Sequence, residues 1–499
     1  MNILFLMTDT QNRDMVGAYG NPSVGTPHLD RLAAEGQLFD RAYTCCPLCT
    51  PARGALFSGI HPPLNGAWAN SMAPAENFPL MGEIFSRQGY RVAYSGKWHL
   101  DGTSYFGDGQ AGGGFPQEWW YDGKNYADDL GPERFEQYRS CRSLDDMRRG
   151  AFQEEEIWAH RVADRALDFL SHQDGQTPFL LVASFDEPHA PCVVPGNWLE
   201  TWDAELIPER PGFALPLEGK PELQQQARVW NQREDWEQAR QQQLKHYLCN
   251  RYVDSQIGRI LDAVRERFDD NTLIVYTSDH GDMMGAHGLV SKGPFMYEET
   301  NNIPFILRLP GQQARRLSAL ASHIDLLPTL LDAAQLPIPE ILQGTSLLPL
   351  LRQEVETVQN DVHMSFSRFG MSHDGWGGLF PIRSVVTERY KLNLNLFDRD
   401  ELYDLQADPR EATNRIEEED LADVRADLHR RILDHMDRIR DPFRGVHWQN
   451  RPWTSSDHPR HYNGGTRHYR PEVFPFQSAC LDYDGTMSWP VNADQEQSG

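Results

Sequence analysis

Thr272-Leu273-Ile274-Val275-Tyr276 runs without a break into Thr277-Ser278-Asp279-His280-Gly281. An unalternating apolar run of this length reads as a strand buried on both faces, and the polar cluster marks where it ends. Three other stretches have the same form. Met1-Asn2-Ile3-Leu4-Phe5-Leu6-Met7-Thr8 ends on Asp9, and Gly89-Tyr90-Arg91-Val92-Ala93-Tyr94-Ser95 delivers Gly96-Lys97-Trp98-His99. Phe179-Leu180-Leu181-Val182-Ala183-Ser184-Phe185 ends at Asp186-Glu187-Pro188-His189. Helical patterns lie between them: Thr26-Pro27 opens one with Leu29, Leu32 and Ala33 in phase and Gly36 at its end, and others cover Met81 to Arg87 and Trp158 to Leu170. Strands that alternate with helices predict an α/β fold with a large mixed, mostly parallel sheet flanked by helices. Such a sheet gathers the carboxyl ends of its strands on one edge, where ligands bind. Asp9, Lys97, His99, His189, Asp279 and His280 are therefore expected to converge.

A composition shift follows Leu351. Arg352 to Asn360 reads as a polar linker, and short β-like runs (Val362 to Phe366, Ile382 to Val386, Tyr390 to Leu396) precede a helix from about Leu421 to Met436. The predicted organisation is a catalytic α/β domain over 1–355 and a smaller α+β subdomain over 356–499. The latter would hold a small antiparallel sheet, a helix and a Trp/Arg-rich tail. Residues 101–130 have no period and read as loop; 221–266 are Gln- and Glu-rich, with 224–243 reading as a solvated helix and an amphipathic pattern near Ile257, Ile260 and Leu261.

The chain of 499 residues carries a formal charge of −25. Such a surface repels nucleic acid and heavily sulfated polymers at long range, and tolerates a small, singly charged substrate in a locally basic pocket. No apolar run is long enough to span a bilayer. The first residues lack a basic n-region and a small-residue cleavage site, which predicts a cytoplasmic protein with no membrane association. The seven cysteines have no pairing rhythm, and no second Cys/His cluster follows Cys45, Cys46 and Cys49 at zinc-ligand spacing.

Cys49-Thr50-Pro51-Ala52-Arg53, continued by Gly54-Ala55-Leu56-Phe57-Ser58-Gly59, is a poor recipe for packing. It resembles the segment in which type I sulfatases, members of the alkaline phosphatase superfamily, have their cysteine oxidised to formylglycine. The resemblance covers most of the chain. It extends over Thr8-Asp9, Gly17-Ala18-Tyr19-Gly20, Gly96-Lys97-Trp98-His99, Ser278-Asp279-His280-Gly281, His323-Ile324-Asp325 and Glu401-Leu402-Tyr403-Asp404-Leu405. More narrowly, the chain is similar to cytoplasmic bacterial sulfatases that open with Thr-Asp-Thr-Gln.

The resemblance implies an alkaline-phosphatase-like fold and hydrolysis of a sulfate monoester of a small organic alcohol, a sugar by expectation. Cys49, as the aldehyde hydrate, would attack sulfur, and Arg53 would steady it. Lys97, Lys292 and His189 would grip the sulfate, with His189 or Lys292 protonating the leaving oxygen. His99 would take the proton that releases sulfate. Two carboxylates and an imidazole suit a divalent cation. Asp9, Asp279 and His280 are the implied ligands of calcium, with manganese or magnesium as alternatives. The family's second aspartate is Thr10 here, and either its hydroxyl or the Gln11 amide could fill the vacancy. The implied partner is a formylglycine-generating enzyme or an anaerobic maturase. A homo-oligomer is compatible with the long C-terminal extension, though no residue specifies it.

Trp119, Trp120 and Arg451 are candidates for a sugar-binding rim, since aromatic faces stack on pyranose rings and Arg grips charged groups. Two other functions share parts of the pattern. A phosphonate monoester or phosphodiester hydrolase has the same Cys-x-Pro-x-Arg and Ser-Asp-His-Gly motifs. A catalytically inactive metal- or glycan-binding protein would retain the fold with Cys49 unmodified.

Overall fold

The computed structural model describes residues 1–201, 204–213, 215–231, 235–370 and 378–454, and beyond them the backbone of Cys480–Leu481 and Met487–Ser488. The larger sheet contains β1 (Asn2–Thr8), β2 (Gln37–Tyr43), β3 (Arg91–Gly96), β4 (Trp120–Tyr121), β5 (Phe179–Ser184), β6 (Thr272–Ser278), β7 (Phe305–Arg308) and β8 (Arg315–Ser322). Their order is β4-β3-β5-β1-β6-β7-β2-β8. Only β7 runs against its neighbours β6 and β2; every other pair is parallel. The carboxyl ends of the other strands therefore share one edge, as a mixed, mostly parallel sheet requires.

Side-chain alternation explains the apolar runs. On β1, Leu4 and Leu6 join a core with helices Pro27–Glu35, Trp158–Ser171 and Trp236–Phe268. Ile3, Phe5 and Met7 point the other way, into a second core with helices Cys49–Ser58, Met81–Arg87 and Leu326–Ala333. Both faces of the strand are covered, so its middle, Ile3 to Met7, is apolar throughout.

A second, antiparallel sheet has the order β12-β11-β10-β9, formed by β9 (Val362–Phe366), β10 (Ile382–Val386), β11 (Tyr390–Asn395) and β12 (Glu401–Asp404). Val385, Leu392, Leu394 and Leu402 meet Leu428, Ile432 and Met436 of helix Ala422–Arg438. The opposite face, with Met364, Phe366 and Ile382, packs on Cys46 and Leu48 just before Cys49. The Ser365 N–H donates to the Cys45 carbonyl at 2.9 Å. The smaller sheet thus buttresses the segment that leads to the motif cysteine.

Two expectations need correction. Part of the 101–130 stretch is ordered structure: β4, and helix Gly123–Leu130, whose N-cap Asp122 accepts the Lys124 and Asn125 N–H groups. The Gln-rich segment 224–243 is helical as expected, in Glu222–Asn231 and the start of the 33-residue Trp236–Phe268, but Gln224 and Gln243 are buried and not solvated. Of the expected tail, residues from 455 onward lie outside the described ones apart from the two short pairs named above. Among the described residues, no helix is long and apolar enough to cross a membrane.

Candidate active site

Cys49 is the first residue of helix Cys49–Ser58, every residue of which is buried. This geometry explains the motif's spacing. Pro51 falls in the first turn, where a backbone N–H has no intrahelical partner to lose. Arg53 lies four residues after Cys49, on the same face. Gly59 ends the helix at φ 67°, a left-handed value that favours glycine.

That face looks onto the tips of β1 and β6. The Arg53 guanidinium donates to Asp279 Oδ2 at 2.9 Å, to Asp9 Oδ2 at 3.1 Å, to the Lys97 carbonyl at 2.7 Å and to Ser184 Oγ at 2.9 Å. Lys97 Nζ lies 2.7 Å from Asp9 Oδ2 and 3.1 Å from Asp186 Oδ1. Cys49 Sγ is 3.2 Å from His280 Nε2, 3.8 Å from Asp9 Oδ1 and 3.9 Å from Lys97 Nζ. Lys292 Nζ donates to the Thr10 hydroxyl at 3.3 Å, and that hydroxyl donates to Asp9 Oδ1. Glycine is required at two close approaches. A Cβ at Gly96 would lie 1.9 Å from the Ser184 carbonyl oxygen, and one at Gly281 would lie 2.0 Å from that of Glu299.

Burial and mutual fields set the charges. Burial raises the Asp9 carboxyl, yet Lys97, His189, Arg53 and Lys292 together hold it well below its usual range. Burial and Asp9 push Asp279 up to about 6. Burial and Asp9 also push the Cys49 thiol up, but Lys292, Lys97 and His280 outweigh them and bring it to about 6. Burial, Lys97 and Arg53 lower His99 to about 3, which leaves its imidazole neutral. Burial, Lys292 and Lys97 likewise depress His189.

Residues 1–336 match the Sulfatase family, and residues 285–438 match the family described as N-sulphoglucosamine sulphohydrolase, C-terminal. The chain belongs to the sulfatase family. It is 42% identical to the uncharacterised sulfatase YidJ of Escherichia coli K12 over 92% of each chain. It is 26% identical to an N-acetylglucosamine-6-O-sulfatase of Bacteroides thetaiotaomicron, over 83% of this chain and 82% of that one. The fold is also that of the phosphonate monoester hydrolase of Agrobacterium radiobacter, with a TM-score of 0.73, 23% identity and coverage of 88% and 96%.

In this sulfatase the donor set fits a divalent cation. Ligand atoms of Asp9, Cys49, Asp279 and His280 all lie within 4.8 Å of one another. His280 Nδ1 is 2.8 Å from the Gly281 carbonyl oxygen, an acceptor, so Nδ1 carries the hydrogen and Nε2 offers its lone pair. Nε2 stands 3.7 Å from Asp279 Oδ1 and 4.0 Å from Asp9 Oδ1, too far for hydrogen bonds and within the span of ligands around one cation. The side chains of Thr10 and Gln11 are engaged differently. Gln11 Oε1 accepts from the Tyr276 hydroxyl, and its amide donates to Asn250 at 2.6 Å, so the side chain is committed elsewhere. Thr10, at φ 64°, keeps its hydroxyl beside Asp9 and its N–H on Asp279 Oδ1 at 3.2 Å.

His189 and His99 border this cluster through a residue that sequence reasoning missed. The Tyr105 ring covers Lys97 Nζ at 3.8 Å and meets the rings of His99 and His189 at 5.2 Å each. Asp186, also missed as a candidate, sits in the polar tip Asp186-Glu187-Pro188-His189, which was its available signal. Tyr105 lies in an aperiodic loop and had none.

The proposed aromatic rim is a correction. Trp120 is buried and stacks on Tyr94 at 5.1 Å and 26°. Trp119 packs edge-on against Phe169 of helix Trp158–Ser171. Arg451 is buried and holds Asp400 through Nε at 2.8 Å and Nη2 at 2.6 Å, with Asn395 O at 2.7 Å. Trp120 and Arg451 thus serve packing, and Trp119 is partly buried against the same core as Phe169. Arg451→Ala is therefore expected to cost about 3 kcal/mol by leaving Asp400 buried without its main partner, measured by urea unfolding. The KM for an aryl sulfate is expected to stay within about twofold, since a rim-facing role would move it more.

Proposed function

We propose that this sulfatase hydrolyses the sulfate monoester of a small alcohol, a sulfated sugar, using formylglycine made from Cys49. The observation that carries the reading is the position of Cys49. It lies at a helix N-terminus, in contact with His280, Asp9 and Lys97 together. The similarity to a sulfatase named for N-acetylglucosamine 6-O-sulfate supports a saccharide.

One hydroxyl of the Cys49-derived hydrate attacks sulfur, helped by Asp279, while the S–O bond to the alcohol breaks. Burial and the field of Lys292 and Lys97 keep His189 neutral, and the bound sulfate anion offsets that field. The imidazolium so formed gives its Nε2 proton to the departing oxygen, while Lys97 and Lys292 hold the non-bridging oxygens. Neutral His99 then removes the proton of the remaining hydroxyl. The C–O bond to sulfate breaks, the aldehyde re-forms, and water rehydrates it. A gem-diol thus releases its covalent product without a second nucleophile. Arg53, Lys97 and Lys292 face Asp9, Asp279 and Asp186, so the protein charges nearly cancel. Asp9, Asp279, His280 and the Thr10 hydroxyl would hold calcium or manganese, which supplies the net positive charge a sulfate monoanion needs. Cys49 is 1% exposed, so the maturase that oxidises it acts before this helix packs.

Chelation is expected to abolish turnover and to lower the thermal midpoint, with both restored by calcium or manganese. The loss corresponds to about 3 kcal/mol at a hundredfold excess of ion over Kd. Activity that survives full metal removal, verified by elemental analysis, contradicts the ligand assignment. The function itself is tested by kcat/KM for matched aryl sulfate, phosphodiester and phosphonate esters. Preference for the sulfate is expected. A preference for the phosphonate or diester selects the related hydrolase activity, and no turnover by aldehyde-bearing protein selects a binding role.

A further inference from the structure

Tyr105 joins groups that the proposed chemistry uses separately. Its hydroxyl donates to Asp186 Oδ1 and lies 2.8 Å from His189 Nδ1. Asp186 in turn is paired with Lys97 at 3.1 Å. His189 Nδ1 is also 2.8 Å from the Ala190 carbonyl oxygen. A carbonyl only accepts, so Nδ1 is the nitrogen that carries hydrogen in the neutral ring. With its own hydrogen committed to Asp186, the phenol oxygen accepts from Nδ1–H. This leaves Nε2 as the atom that exchanges a proton with a ligand.

The loop that carries the phenol is itself fixed. The next residue, Phe106, packs on Phe135 at 4.9 Å and on Trp158 at 5.8 Å, and the Ser104 hydroxyl bonds the Gly107 carbonyl at 3.1 Å. On the other side, Glu187 accepts the Ala159 N–H at 3.0 Å, and Cys192 Sγ lies 3.0 Å from the Pro188 carbonyl oxygen and 3.1 Å from His246 Nδ1. Two separately braced loops thus meet at one hydroxyl.

We propose that Tyr105, backed by Asp186, is a positioning residue that holds His189 with Nε2 aimed at the leaving oxygen. This rests on the sulfatase reading above, in which His189 supplies that proton. A carboxylate-polarised phenol stabilises the imidazolium before transfer and keeps the ring from rotating. The same ring shields Lys97, a contact that survives loss of the hydroxyl.

The test is Tyr105→Phe in full-length protein whose Cys49 is aldehyde by mass, assayed on 4-nitrophenyl sulfate and phenyl sulfate. The first has a weakly basic leaving group that needs little acid help; the second needs more. Expected is a kcat loss of no more than about threefold on the nitrophenyl ester and of about thirtyfold on the phenyl ester, within the usual range for acid catalysis. KM is expected to hold. Asp186→Asn, which removes the negative charge behind the phenol and leaves only an amide oxygen to accept from it, is expected to show the same leaving-group bias and carries the test if the first variant misfolds. Equal losses on both esters, or a change confined to KM, overturn the proposal and leave the sulfatase reading intact. Wild-type protein that hydrolyses neither ester removes that reading, and the positioning role with it.

Discussion

Cys49→Ala is expected to reduce turnover of an aryl sulfate by about 10⁵-fold or more, the scale seen when an enzyme loses its nucleophile. Among the described residues, no neighbouring group is placed to substitute. The contacts of Cys49 are Asp9, Lys97 and His280, and each is already engaged with another charged or ligating group. The methyl group of alanine fills part of the same buried space, and Ala is a strong helix former at the start of Cys49–Ser58. The thermal midpoint is therefore expected to change little. The assay is single-turnover and steady-state hydrolysis beside a melting curve. Residual activity within about a hundredfold of wild type would place the nucleophile elsewhere.

Arg53→Met is expected to have the largest effect on stability, about 3 to 5 kcal/mol, together with loss of activity. Arg53 is fully buried, and its removal leaves two carboxylates, Asp9 and Asp279, without the cation that joins them. A methionine fills the volume but supplies no charge. Lys97 still holds Asp9, so the larger deficit falls on Asp279. Burial and Asp9 already raise that group to about 6, and loss of Arg53 raises it further. The folded variant then keeps a proton that the unfolded chain has released, so its stability falls as pH rises through the neutral range. Guanidinium unfolding at pH 6 and pH 8, on metal-free protein, measures both the deficit and its widening. A loss below about 1 kcal/mol at either pH contradicts the charge assignment.

The fold was legible where burial is complete on both faces. β1, β3, β5 and β6 announce themselves as apolar runs because each contributes alternate residues to two cores, and each stops at a polar tip because the sheet edge is where packing ends. The cluster of Asp9, Cys49, Arg53, Lys97, Asp279 and His280 was legible for the same reason: topology brings those tips together, and helical spacing puts Arg53 under Cys49. Less could be read where a residue's role depends on a distant partner. Arg451 looks like a ligand-binding arginine in sequence and is a buried partner of Asp400, 51 positions away. Trp120 looks like a stacking platform and is a short edge strand on β3. Tyr105 sits among glycines and aspartates with no period, and only the fold reveals that its hydroxyl meets His189.

The most direct test measures how turnover of an aryl sulfate tracks the fraction of chains whose residue 49 has exchanged H₂S for oxygen. Preparations made with and without a co-expressed maturase would supply the range, with the peptide mass giving the fraction in each. A straight line through the origin is the expected result. Turnover that persists undiminished in chains bearing the thiol would mean that this cysteine is not the precursor of the nucleophile.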